Sequence, residues 1–145
     1  MTDEVDHAHL ASNGRADLTL DDLANLHAGL AHFMVEISDR ATRCYQAAQA
    51  HNKLVARHQI GELTKTLRLA AMVRPQYLDS IETFIADDLG KVRATIDDED
   101  WAHFEDVWEH LTVAVNKNHT EHDHGYLVWR VPTNTASDLD LTPPA

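Results

Sequence analysis

Residues 101–118 read WAHFEDVWEHLTVAVNKN. Trp101, Phe104, Trp108, Leu111, Val115 and Asn118 follow one another at alternating steps of three and four. Those steps bring side chains onto one face of an α-helix, as a bundle seam requires. A helix with one apolar face must bury that face, so the rest of the chain has to supply partners for it.

Three further stripes are present. Leu78, Ile81, Ile85, Leu89, Val92 and Ile96 form one. It begins after Arg74-Pro75, where proline bars the preceding residue from helical backbone and itself suits a first helical turn. The acidic run Asp97–Asp100 connects it to the last helix, whose positive N-terminal end favours such charges. Ala56, Ile60, Leu63, Leu67 and Ala70 form another, in a helix expected from Asn52 to Met72. The first helix is expected to start at Thr19, which with Asp22 approximates a capping box. Leu23, Leu26, Leu30, Phe33, Ile37, Ala41, Cys44 and Ala48 then predict one continuous helix ending near Gln49–Asn52. Four amphipathic segments with short connections predict an all-α fold, an antiparallel up-and-down four-helix bundle over residues 18–124. Residues 1–17 read as a disordered arm. Residues 125–145 read as an extended C-terminal segment, in which Tyr126–Val131 is short, apolar and aromatic and could cover the open end of the bundle.

Composition narrows the function. With Lys+Arg 12 against Asp+Glu 24, the net charge of −12 repels phosphate backbones and anionic membrane surfaces. Neither nucleic acid nor membrane is expected as a partner. No apolar run has the roughly 20 residues of a membrane span, and the N-terminus lacks the basic and apolar regions of an export signal. Cytoplasmic residence is therefore expected. The single cysteine, Cys44, excludes an internal disulfide framework or a zinc site built on several thiolates. Its place on the seam predicts a small core residue.

Histidine is abundant, at 11 residues. The densest group is His119, His122 and His124 with Glu121 and Asp123. It is either a site for a transition metal, through neutral imidazoles, or a solvated helix end favoured by the C-terminal dipole. His58 and Glu62 share a helix face, but one roughly 160° from the Ile60 stripe, which points to an outer face or a subunit contact. His103 and His110 are expected at the surface. Glu36 and Arg40 flank the first stripe, either as an i,i+4 ion pair or as a charged pair at the rim of an internal pocket. No phosphate loop, nucleophile elbow or HExxH motif occurs, so hydrolase and kinase chemistry have no direct case.

The chain from about Leu26 to Pro132 resembles the small bacterial cytochrome-c-like four-helix proteins. The residues that carry the resemblance are Met34–Arg40, Asn52 with Val55-Ala56, Gln59 and Glu62, Arg74-Pro75, and Asn116–His119 followed by Gly125–Pro132. In relatives that attach haem the last segment reads Cys-x-x-Cys-His. Here those positions hold Val115, Asn116, Lys117, Asn118 and His119, so both attachment thiols are replaced and only the would-be axial histidine persists. Covalent haem needs thiols that this segment does not have. The resemblance implies a haem-free bundle that binds a small molecule or metal, or haem non-covalently, with Glu36, Arg40, Glu62, Trp108 and His119 as the candidate ligand-binding set. Two alternatives stay open. One is an enzyme using a Glu/Arg/His pocket for acid–base chemistry. The other is a structural module that forms a homodimer through the back of the second helix, with Val55, His58, Glu62 and Leu69 as contacts.

Overall fold

A computed structural model describes residues 11–12, 14, 17–26, 29–133 and 139–144. Their architecture is helical: α1 Leu20–Asn25, α2 Leu30–Gln49, α3 Lys53–Val73, α4 Leu78–Phe84, α5 Gly90–Asp97 and α6 Trp101–Glu121. A 3-10 turn, Pro75–Tyr77, leads into α4, and a π turn, Ile85–Leu89, joins α4 to α5 without a break. The expected arm over residues 1–17 lies largely outside the described residues. Within it, Ala11–Ser12 pairs antiparallel with Asp17–Leu18.

The helix starts follow the local chemistry. Thr19 and Asp22 form the capping box: the Asp22 amide donates to Thr19 Oγ1 at 3.1 Å and the Thr19 amide to Asp22 Oδ2 at 2.9 Å. Asn52 caps α3 by accepting from the Val55 amide. The first helix is not continuous, however. Gly29 adopts extended backbone (φ −71°, ψ 163°) and starts α2 anew, its carbonyl accepting from the His32 and Phe33 amides. Glycine's poor helix propensity makes a break there cheap. As a result Leu26, a residue of the expected stripe, is exposed, and the Leu23 side chain lies outside what the structure describes.

The helix ends share one device. His51, Glu99 and Asp123 all have left-handed backbone, with φ of 55°, 55° and 61°. Each closes a Schellman pair: Asn52 N–H to Ala47 O after α2, Asp100 N–H to Thr95 O after α5, and His124 N–H to His119 O after α6. Glycine usually fills this position, because a side chain there costs about 1 kcal/mol. Glu99→Gly is therefore expected to raise stability by about 0.5–1 kcal/mol, since the exposed Lys53–Glu99 contact it removes is worth only a few tenths. Urea denaturation of the pair of proteins measures the difference.

α2 and α3 make the most extensive helix contact, and both bury small side chains that allow close approach: Ala41, Ala47 and Ala48 on α2, and Ala56, Ala70 and Ala71 on α3. α5 packs on α6, while α4 and α5 both pack on α3. Around Cys44, Ile60, Val92, Ile96, Phe104 and Trp108 the interior is solid. Cys44 is completely buried, with Sγ 3.5 Å from the Ala56 carbonyl oxygen, and burial pushes its thiol up to about 12. The reactive thiolate is therefore strongly disfavoured. Thiol reagents are expected to label Cys44 only as fast as the protein opens, and rapid labelling under native conditions would contradict that packing. No helix among the described residues is long and apolar enough to cross a membrane.

Candidate functional site

At the other end the helices leave a half-open hollow. A cavity of about 200 Å³ lies where the first half of α2, the second half of α3, α4 and the second half of α6 meet. Its walls are mostly apolar, including Met34, Ile37, Leu63, Phe84, Leu111 and Trp129. The π turn shapes one wall. Residues five apart diverge by roughly 140° on an α-helix, yet Phe84 and Leu89 both line the cavity because the wider turn brings them round.

The segment after α6 closes this end. Asn116 grips the Trp129 backbone at both polar atoms: Nδ2 donates to the Trp129 carbonyl at 2.9 Å, and Oδ1 accepts from the Trp129 amide at 2.7 Å. One turn later His119 Nδ1 lies 2.7 Å from the Leu127 carbonyl oxygen. The strap thereby seats Trp129 against Trp108, with ring centroids 6.0 Å apart. It begins with a turn, the Leu127 amide donating to the His124 carbonyl at 2.8 Å, and its described residues do not pair as a strand. Further along, Asn52 Nδ2 donates to the Leu141 and Thr142 carbonyls, and Leu141 packs on the core. The tail thus lies along the body of the protein; residues 134–138 fall outside the described ones.

Polar groups gather at the cavity's α6 end. Asn118 Nδ2 donates to the Ala114 carbonyl, which orients the amide. Its Oδ1 must then accept the Ser80 hydroxyl proton, at 2.7 Å. Ser80 Oγ is in turn 3.1 Å from His122 Nε2, and Tyr77 packs edge-on against the same imidazole. Ser80, Asn118, His119 and His122 all line the cavity.

The expected site residues divide into groups. His119 and His122 reach the cavity. His124 does not: its Nδ1 lies 2.6 Å from the His122 carbonyl oxygen and its ring rests beside Tyr126. Among the described residues no three His, Cys, Asp or Glu side chains converge to hold a metal. Trp108 is buried one layer away, among Tyr45, Phe104 and Trp129. Its Nε1 has no hydrogen-bond partner among the described residues. Glu36, Arg40 and Glu62 do come together, but on a seam between α2 and α3 outside the cavity. Arg40 bonds Glu36 Oε1 at 2.9 Å, and Thr66 Oγ1, which donates to the Glu62 carbonyl, sits 3.4 Å from the same carboxylate oxygen. Glu62 is held below the usual carboxylate range, first by its bond to Lys65 and also by the charge of Arg40. The Glu/Arg/His pocket envisaged for acid–base catalysis is therefore not assembled: the charged pair and His119 face different spaces.

The surface residues behave as their spacing implied. His58, His103 and His110 are exposed. Of the four residues named for self-association, Leu69 and His58 are exposed, Val55 packs against the core and Glu62 is engaged by Lys65. Sequence reasoning missed Tyr77, Ser80 and the clamp made by Asn116. Ser80 precedes the stripe residue Ile81 by one and carries no signal of its own. Asn116, beside Val115 on the seam, is a polar residue where a helix flank needs none.

The cavity also bears on haem. Pockets for ligands of drug size, the class to which a porphyrin belongs, run roughly 300–1,000 Å³. At about 200 Å³ this cavity lies below that range, and Val115 and Asn118 on its wall offer no thiol for attachment. No family model matches the chain, and no curated protein or solved structure matches it at significance.

Proposed function

We propose that the chain is an antiparallel up-and-down four-helix bundle that binds a small, largely apolar molecule in the cavity beneath Trp129, with His119 as its polar anchor. The helix contacts support the arrangement, since each long segment packs on the next in sequence. The observation that carries the functional reading is the cavity itself. Well-packed interiors leave few voids larger than a water molecule. This one has mostly apolar walls and a cluster of polar groups at its α6 end, the common form of a ligand site. Apolar cavities of about 150 Å³ take up benzene-sized molecules. The ligand expected here is accordingly one ring, or an aliphatic chain of similar bulk.

Binding to the folded state alone raises stability with ligand concentration. Toluene is expected to raise the melting temperature in a saturable way and to shift the methyl resonances of Ile37, Leu63 and Leu111. Val115→Phe, which fills the cavity from its wall, is expected to abolish both effects while the helical circular dichroism remains. If that variant does not fold, the resonance shifts in the native protein stand as the test. Absence of any saturable shift at those three residues would refute the proposal.

A further inference from the structure

The hydrogen bonds around the cavity define which chemistry it accepts. A carbonyl oxygen only accepts, so the His119 nitrogen 2.7 Å from the Leu127 carbonyl must carry the proton. In the neutral imidazole Nε2 is then a bare acceptor, and it has no partner among the described residues. His122 is fixed with equal rigour from the other side. The Ser80 hydroxyl proton is committed to Asn118 Oδ1, so Ser80 Oγ can only accept from His122 Nε2–H. That leaves His122 Nδ1 bare as well, again with no partner among the described residues. Meanwhile four donors of this end are used within the protein: Asn118 Nδ2 on Ala114, the Ser80 hydroxyl on Asn118, and each imidazole N–H on its own acceptor; the Tyr77 hydroxyl and the Trp129 indole N–H belong to other lining side chains.

Resting on the binding function proposed above, we infer that the ligand is a neutral hydrogen-bond donor: a small phenol, alcohol or N–H heterocycle whose polar hydrogen goes to His119 Nε2. With both imidazoles neutral, their two bare ring nitrogens offer lone pairs, and a carboxylate or phosphate offers only lone pairs in return, so neither nitrogen can bind an anion. Among the described residues the wall includes no Lys or Arg, and Arg40 is held by Glu36 outside it. A metal ion would suit bare imidazoles, but zinc sites take three or four protein donors and no such group converges among the described residues. A hydrogen-bond donor needs one acceptor only.

Calorimetric titration of the full chain with phenol, toluene and benzoate separates the possibilities. Phenol is expected to bind roughly tenfold more tightly than toluene, the worth of one hydrogen bond made in an apolar site. Benzoate is expected to bind more weakly than either. In His119→Phe the preference for phenol should vanish while toluene still binds. Should that variant fail to fold, the ranking of the three compounds in the native protein decides. Equal binding of phenol and toluene would overturn the donor assignment and leave the cavity's binding function standing. Binding of none of the three would overturn both. Preference for benzoate, or zinc uptake that displaces phenol, would overturn the assignment in favour of a charged or metal ligand.

Discussion

Replacing Trp108 with alanine is expected to destabilise the protein by about 3–5 kcal/mol, the range for removing a buried aromatic side chain. Trp108 is almost fully buried and touches Tyr45, Phe104 and Trp129, with ring centroids 5.2, 5.5 and 6.0 Å away. It joins α2, α6 and the strap. Domains of this kind have roughly 5–15 kcal/mol in total, so the alanine variant should stand close to unfolding at room temperature. Trp108→Phe is expected to cost less than half as much. The indole N–H is buried with no acceptor among the described residues, and removing such an orphan recovers part of its desolvation penalty. Urea denaturation of the three proteins reads both numbers. A cost below about 1.5 kcal/mol for the alanine variant would mean that the aromatic cluster does not hold the solid end of the core together.

Asn116→Ala should have the next largest effect, and a local one. It leaves both the amide and the carbonyl of Trp129 without a partner, which corresponds to about 2 kcal/mol. The strap, rather than the whole fold, should open, so amide exchange at Trp129 is expected to accelerate roughly thirtyfold while α2 and α3 keep their protection. Asn116→Asp separates the two bonds. It retains an acceptor for the Trp129 amide but sets a carboxylate oxygen against the Trp129 carbonyl, so it should rescue nothing. Unchanged exchange at Trp129 in both variants would show that the clamp does not hold the strap.

Much of this architecture was legible in the residues, because helix formation here obeys local rules. The Thr19–Asp22 box, the Asn52 cap, the Arg74-Pro75 break and the alternating spacing from Trp101 to Asn118 each act within one or two turns. The misses occur where an alternative local geometry competes almost equally. Gly29 can sit inside a helix or begin one, and periodicity across it does not say which. The π turn at Ile85–Leu89 differs from α-helix by a single hydrogen-bond register, and no residue type announces it. His51, Glu99 and Asp123 hide three helix ends, because left-handed backbone normally announces itself through glycine.

The site was legible in part for a related reason. Spacing assigns a residue to a face but gives neither the depth nor the neighbour that the face meets. Glu36 and Arg40 flank the correct stripe of α2, yet they turn towards Thr66 on α3 and not towards the cavity lined by Ile37 and Ala41. His119 stands out in the sequence by its place after Val115 and Asn118, and all three line the cavity. What a linear pattern could not convey is that a carbonyl eight residues further on selects which imidazole nitrogen stays free.

That selection is the centre of the functional account, and nitrogen-15 NMR of the histidine side chains reads it directly. At a pH where His119 is neutral, its Nδ1 should resonate as a protonated, pyrrole-like nitrogen and its Nε2 as a bare, pyridine-like one, with the Nε2 signal moving when phenol is added. The opposite tautomer at His119, or an Nε2 signal indifferent to phenol at saturating concentration, would contradict the assignment of this imidazole as the cavity's open acceptor.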